Sequence, residues 1–293
     1  MDITKDHKIE SYTLNDGKTI PYMGFGTYQA TEEEGIESVK FALQNGYRLL
    51  DTAARYENEE AVGKGIIQSG IPREEIMVTT KVWRDRLGYD ETKKAFFESL
   101  ERLQLDYIDL YLIHWPANEK NFGADWQKIN SETWRAMEDL QMEGKIKSLG
   151  LSNFWPEHLE PLLQTARIKP AVNQIEFHPG YWQPGVFAYC KERDVRVEAW
   201  SPFAKGAVFK NGIMKEIAKK YNKTVAQITL QWIVQHGAVP IPKSTTKERV
   251  LENIDIYNFE LTGEDLHTIS QLPKMGFSGE LPNEWPDIIG KQA

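Results

Sequence analysis

Short runs rich in β-branched and aromatic residues alternate with longer amphipathic segments along almost the whole chain, and that alternation narrows the folds open to it. The run "YMGFGTY" (22–28) precedes a helical segment over 32–46 that stops at Gly46, and "YRLLD" (47–51) precedes one over 58–69. "IMVTTK" (76–81) is followed by 90–104, "YIDLYLIH" (107–114) by 131–143, and "IKSLGLSN" (146–153) by 156–166. "AVNQIEFH" (171–178) leads into 183–193 and "VRVEAWS" (195–201) into 211–221. A helix over 225–237, the strand "AVPIPKS" (238–244) and a helix over 246–254 complete the series. Eight strands that each feed a helix, with short connections and no Gly/Pro/Ser-rich linker, predict an α/β fold of the (β/α)8 TIM-barrel type, one domain over 1–293. A doubly wound open sheet is the alternative. The stretch "IESYTLNDGKTI" (9–20) predicts an N-terminal hairpin turning at Asn15-Asp16-Gly17. The tail after about residue 274 lacks periodicity and reads as a loop packed over one end of the barrel.

A chain of 293 residues buries a core without staples. Its 35 basic and 43 acidic residues give a net charge of -8, and with no basic block this argues against general nucleic-acid binding. "MDITKDHKIE" is too polar for a secretory signal, and no apolar stretch approaches the ~20 residues of a membrane span, so a soluble cytoplasmic protein is expected. The single cysteine, Cys190, cannot form an internal disulfide and reads as structural.

Barrels of this kind build their sites at the C-terminal strand ends. Here the ends are Thr27-Tyr28, Asp51, Lys81, His114, Ser152-Asn153, Gln174 with Glu176 and His178, Trp200-Ser201, and Lys243-Ser244. Polar, ionisable or aromatic groups that converge on one mouth must be desolvated together, which stability alone does not reward. The chemistry they suggest is proton transfer beside a buried charge. An ammonium at Lys81 is expected to lower the pKa of a phenol at Tyr56 and make it a usable acid. Asp51 is expected to keep that lysine charged, and His114 to hydrogen-bond a substrate oxygen. Taken singly, an Asp–Lys pair is often only a structural ion pair, and a lone histidine more often a core residue. A metal-dependent hydrolase with Glu176, His178, His114 and Asp51 as ligands is a competing reading, but strand 1 lacks a His-x-His cluster and Lys81 is left without a role. A sensor that binds a cofactor without turnover is a third.

The segments "GFGTY", "RLLDTAARYENEEAVG", "TTKVW", "IHWP", "GLSNF", "VNQIEFHP", "EAWSPF" and "IPKSTTKERVLEN" resemble, in order and placement, the aldo-keto reductase family, and within it the bacterial prostaglandin F synthase and 2,5-diketo-D-gluconate reductase-like branch. Asp51, Tyr56, Lys81 and His114 match the family's catalytic tetrad, with Tyr56 as general acid. The resemblance implies NADPH-dependent reduction of aldehydes and ketones by a monomer acting on a small-molecule carbonyl substrate. It implies nicotinamide at the mouth beside Gly26, Thr27, Tyr28 and Asp51, its carboxamide on Ser152, Asn153 and Gln174 and one ring face on Trp200, where relatives often have Tyr. Ser201, Pro202, Phe203 and Val208, in the loop "SPFAKGAV", are implied to wrap the pyrophosphate, and Ser244, Glu252 and Asn253 to meet the adenosine.

At the phosphate end, Thr245 lies three residues ahead of Glu248 in a capping-box pattern, and a helix start there offers amides to an anion, with Lys243 and Arg249 adding positive charge. Tyr28, Trp83, His114, Trp115 and Trp285 are candidates for the substrate walls. No G-x-G-x-x-G is present, so the nicotinamide cofactor follows from the barrel pattern rather than from a Rossmann fingerprint.

Overall fold

The computed structural model describes residues 10–284. A hairpin of β1 (Ser11–Thr13) and β2 (Thr19–Pro21) comes first, and Gly17 takes the left-handed φ of +80° that its turn requires. The parallel strands are β3 (Phe25–Gly26), β4 (Leu49–Asp51), β5 (Met77–Val82), β6 (Ile108–Ile113), β7 (Ile146–Ser152), β8 (Val172–Glu176), β9 (Arg196–Trp200) and β10 (Val239–Pro240). They lie side by side in chain order as one eight-stranded sheet. β5 and β6 are almost wholly buried, as strands covered on both faces should be.

The sheet closes on itself. Gly24 and Gly26 donate their N–H groups to the carbonyls of Pro240 and Pro242, each at 3.0 Å, and Gly26 pairs with Lys243 across the seam. A Cβ at Gly26 would lie 3.1 Å from the Ile241 carbonyl oxygen, so a side chain there would press the two strands apart. The seam strands are shorter than the 22–28 and 238–244 read from sequence. Pro240 and Pro242 have no N–H to extend a ladder, so only their carbonyls take part.

The helices are α1 (Glu32–Gln44), α2 (Glu59–Ser69), α3 (Tyr89–Leu103), α4 (Glu119–Phe122), α5 (Trp126–Met142), α6 (Pro156–Thr165), α7 (Pro184–Glu192), α8 (Gly212–Tyr221), α9 (Val225–Gln235), α10 (Lys247–Ile254) and α11 (Gly263–Ser270). α5 begins five residues before the start at 131 expected from periodicity, and α4 precedes it, capped by Asn118. α11 is absent from the sequence reading. It has eight residues, a Thr262 cap on the Asp265 N–H, and a buried Ile269 packed with the α8 and α9 side of the core. Outside the barrel wall, helices and strands share apolar clusters such as Phe96, Tyr111, Trp134 and Leu151. Inside, Leu14 and Ile20 of the hairpin pack with Leu49, Leu110, Leu112, Val172 and Val239 and plug the N-terminal end. Cys190 is buried among α7, α8 and α9 side chains, and burial pushes its thiol up to about 11, in keeping with a structural role.

Over the C-terminal end runs the described part of the tail, as the sequence led us to expect. Ser278 donates its N–H and hydroxyl to the Glu176 carboxylate at 2.9 and 2.7 Å, and Asn118 donates to the Pro282 carbonyl at 2.6 Å.

Helix α2 meets α3 without a side chain between them: a Cβ at Gly63 would sit 2.3 Å from the Leu103 carbonyl oxygen. Gly63→Ala gains about 1 kcal/mol of helix propensity but overpacks a backbone contact, a cost of about 1–3 kcal/mol. The variant should melt below the wild type in a thermal unfolding experiment, and an unchanged or raised Tm would show that α2 can slide clear.

Candidate active site

Asp51 ends β4 and Lys81 lies on β5, so their side chains enter the barrel from neighbouring strands. The Lys81 ammonium is fully buried and has three N–H groups to satisfy. It donates to Asp51 Oδ1 at 2.7 Å, to the Thr52 carbonyl at 2.8 Å and to the Tyr56 hydroxyl at 3.3 Å. The loop that presents Tyr56 is built from within. Residues Ala54–Tyr56 form a 3-10 turn that ends at Glu57 in the left-handed region. Asn58 anchors that turn by donating to the Thr27 carbonyl at 2.7 Å and accepting from Thr52 at 3.0 Å. Thr27 in turn donates both its N–H and its hydroxyl to the Asp51 carbonyl.

Burial works against the Lys81 charge, but Asp51 and Tyr56 outweigh it and hold the ammonium above the ordinary lysine value. The Tyr56 phenol departs from the expectation of a lowered pKa. Burial pushes it up to about 12, and the Lys81 ammonium only limits the rise. Tyr47, buried with no cation beside it, is pushed higher still. The ammonium thus acidifies this phenol relative to a buried tyrosine, not relative to one in water.

His114 stands just past β6, its ring edge-on to Tyr56 and Trp83 with centroids 5.7 and 5.0 Å apart. Burial and then the positive charges of Lys81, Arg84 and Arg55 hold its pKa well below the ordinary 6.5, so the imidazole is neutral. Its Nδ1 is buried without a hydrogen-bond partner among the described residues. The exposed Tyr28 ring lies 5.0 Å from that of Tyr56. Trp83 is half-buried, and the Arg55 and Arg84 guanidinium carbons are 5.7 and 5.0 Å from its ring centre. Trp115 is 4% exposed and so has little surface to offer a ligand, while Trp285 falls outside the described residues.

Across the mouth the polar strand ends interlock. Asn153, at a left-handed φ of +63°, donates to the His114 carbonyl at 3.0 Å and to Ser152 Oγ at 3.1 Å. It accepts the Trp200 indole N–H at 2.9 Å, which fixes the plane of that half-buried ring. Ser152 donates to the Gln174 carbonyl at 2.9 Å, and the Gln174 amide nitrogen donates to Asp51 Oδ2 at 2.8 Å and Glu198 Oε2 at 3.0 Å. Glu198 is missing from the sequence reading, although it lies two residues before Trp200 on β9 and so shares its face. Glu176 and His178, the imagined metal ligands, bond to each other at 3.2 Å, and Glu176 also holds the tail. Among the described residues no group of three His, Cys, Asp or Glu is placed to hold a metal ion.

The loop after β9 turns through left-handed Ser201, Ala204, Lys205 and Gly206, with Pro202 and Val208 buried and Phe203 half-buried beneath it. Beyond the seam, Ser244 accepts the Thr246 N–H at 3.1 Å, and this turn moves the start of α10 one residue past the expected point. Thr246, not Thr245, is the N-cap, so the residue three positions on is Arg249 rather than Glu248, and the capping box does not form. The first turn of α10 therefore has no side-chain cap, and Lys243, Thr245, Lys247 and Arg249 stand exposed around it. Glu252 is tied to the Thr224 hydroxyl at 2.6 Å, and Asn253 is buried.

Among the described residues no helix is long and apolar enough to cross a membrane. The sequence profile of the Aldo/keto reductase family matches residues 22–274. The chain is 48% identical over 276 residues to the glyoxal reductase of Bacillus subtilis, covering 94% of this chain and 97% of that protein. It is 40% identical over 274 residues to the methylglyoxal reductase DkgA of Escherichia coli, covering 93% and 96%. Among solved structures, a Bombyx mori aldo-keto reductase in complex with NADP superposes with a TM-score of 0.84 at 37% identity, covering 91% of this chain and 93% of that one. An aldo/keto reductase from Brucella melitensis does so with a TM-score of 0.84 at 43% identity, covering 90% and 99%. With a profile spanning most of its length and relatives this similar over nearly all of theirs, the chain belongs to the aldo/keto reductase family.

Proposed function

We propose that this chain reduces aldehydes and ketones to alcohols with NADPH, Tyr56 acting as the general acid. The observation that carries the reading is the buried contact chain Asp51–Lys81–Tyr56, which ends in a protonated phenol at the barrel mouth.

The residues present fit the cofactor. Trp200 has a half-exposed ring held in one plane by Asn153, suited to stacking on nicotinamide. Gln174, with Ser152 and Asn153 beside it, would hold the carboxamide. The loop over 201–208 would cover the pyrophosphate. The uncapped first turn of α10, with Lys243 and Arg249 around it, would take the 2'-phosphate, and Ser244, Thr245, Glu252 and Asn253 would meet the adenosine side. When bound, reduced nicotinamide supplies the hydride that a carbonyl carbon accepts.

The protein's own part is to handle the oxygen. As negative charge develops there, Tyr56 gives up its proton, and the phenolate charge lands 3.3 Å from the Lys81 ammonium. Asp51 keeps that ammonium in place and charged, so the cation awaits the phenolate before it forms. A neutral His114 offers one ring N–H to the same oxygen without adding a second buried cation beside Lys81. Tyr28 and Trp83 present aromatic surface to the rest of the substrate. The names of the similar Bacillus subtilis and Escherichia coli proteins, glyoxal and methylglyoxal reductase, favour small reactive aldehydes among the substrates.

The test is NADPH oxidation with a panel of aldehydes, NADH run beside it. Tyr56→Phe should lower kcat by about 10²–10⁴-fold while NADPH binding, followed by fluorescence, persists. Wild-type turnover in that variant would remove Tyr56 from the mechanism.

Arg249→Ala should narrow the preference for NADPH over NADH by about tenfold, the weight of one charge-assisted hydrogen bond. An unchanged ratio would place the 2'-phosphate elsewhere.

The neutrality of His114 has a stability signature. Its folded pKa lies below its unfolded value of 6.5, so as pH falls below that value the unfolded chain takes a proton that the folded site refuses. Stability should then fall toward acid by up to about 1.4 kcal/mol per pH unit from this residue. His158 and His236 are shifted the same way by burial, so His114→Asn should flatten the acid limb without abolishing it. A denaturant-unfolding series between pH 5 and 7 measures this, and a wild-type slope in the variant would show His114 charged in the folded state.

A further inference from the structure

A second carboxyl group is buried inside the barrel, and the chain Asp51–Lys81–Tyr56 does not use it. Glu198 is fully buried on β9, in direct register with Gln174 on β8. The two acceptors around Gln174 Nε2 are Asp51 Oδ2 at 2.8 Å and Glu198 Oε2 at 3.0 Å. A primary amide has two N–H groups, and here each has its own acceptor. Turning the amide over would aim its carbonyl at the Asp51 carboxylate and leave that acceptor without its donor, so the network itself assigns nitrogen and oxygen.

We propose that Glu198 is a positioning residue for the cofactor: with Asp51 it occupies both N–H groups of Gln174, so the carbonyl oxygen Oε1 is all that Gln174 can offer a ligand. The proposal rests on the NADPH reading above. A site that presents only an acceptor there selects a nicotinamide substituent that can donate, the carboxamide NH2, over one that can only accept.

Two further features agree. Burial and then the Asp51 charge push Glu198 up to about 8, so at neutral pH it stays a carboxylic acid, which still accepts through Oε2 but adds no negative charge beside Asp51. Its other oxygen, Oε1, is buried with no hydrogen-bond partner among the described residues. An acid in this position is costly to bury. A leucine would fill the same interior at less cost but would leave one Gln174 N–H unpaired and the amide free to turn.

The experiment compares the affinities of the wild type for NADP+ and for its 3-acetylpyridine analogue, whose acetyl group keeps the carbonyl and lacks the N–H. The wild type should prefer NADP+. Glu198→Leu should shrink that preference by about three- to tenfold, the worth of one neutral hydrogen bond. Glu198→Gln, which keeps a neutral acceptor, should restore it to within about twofold, since the isostere spares that bond. A Glu198→Leu protein that binds NADP+ with the wild-type preference overturns the role of Glu198 and leaves the NADPH reading standing. Wild-type protein that binds neither dinucleotide overturns both. Should the leucine variant fail to fold, the wild type still decides. In 15N-glutamine-labelled protein the two Gln174 side-chain protons should give separate resonances that exchange slowly with water, and exchange as fast as a free side chain would refute the pair of hydrogen bonds to Asp51 and Glu198.

Discussion

The rest of the site depends on an ammonium group sealed inside a closed barrel. An isolated cation there would cost several kcal/mol in lost hydration and would shed its proton instead. Lys81 keeps its proton because each of its three N–H groups meets an acceptor: a carboxylate, a backbone carbonyl and a phenol. Those acceptors come from the end of β4 and the turn that follows it, while the lysine itself comes from β5. The turn must therefore be rigid, and the bonds from Asn58 to Thr27 and from Thr27 to Asp51 make it so. In the proposed mechanism stability and chemistry share one set of contacts, since the hydroxyl that satisfies the lysine's third N–H is the one that would give up a proton.

The alternation of strand and helix is legible in the sequence because each period is long enough to show. "YIDLYLIH" and "IMVTTK" are buried runs bounded by turns, and they become β6 and β5 with little change in extent. The seam is poorly legible for a physical reason. Pro240 and Pro242 cannot donate to a ladder, so the apolar run continues past β10 through Ile241 and Pro242. α11 escapes because eight residues with few apolar positions show no periodicity of their own, and its Thr262 cap is visible only once the neighbouring helices are known.

Within the site, legibility follows chemistry rather than position. Asp51, Lys81 and His114 draw notice as ionisable groups at strand ends and Tyr56 as a phenol in the loop between two of them, and the structure brings them together. Glu198 draws none, because a glutamate inside "VRVEAWS" looks like the polar half of an ordinary alternating strand. Its spacing of two residues from Trp200 puts it on the same face, and the β8–β9 register sets it beside Gln174. The capping box at Thr245 fails on a local competition: Ser244 takes the Thr246 N–H, and the helix starts one residue later. The sign of the Tyr56 shift needs a magnitude that no sequence contains. A cation beside a phenol lowers its pKa, burial raises it, and the depth of the barrel decides in favour of burial.

That outcome makes sense of the whole interior as a matter of charge balance. Of the five linked groups Asp51, Lys81, Tyr56, His114 and Glu198, only Lys81 and Asp51 stand as an ion pair, joined at 2.7 Å. Tyr56 and Glu198 hold their protons because burial disfavours their anions, and His114 refuses one because burial disfavours its cation. These five groups sum to no net charge, so no anion other than Asp51 competes among them for the Lys81 field. A Tyr56 already ionised at rest would neutralise the lysine and have no proton to give. In the proposed mechanism the burial that raises its pKa therefore stores the proton, and the ammonium 3.3 Å away would supply the means of parting with it as charge grows on the substrate oxygen.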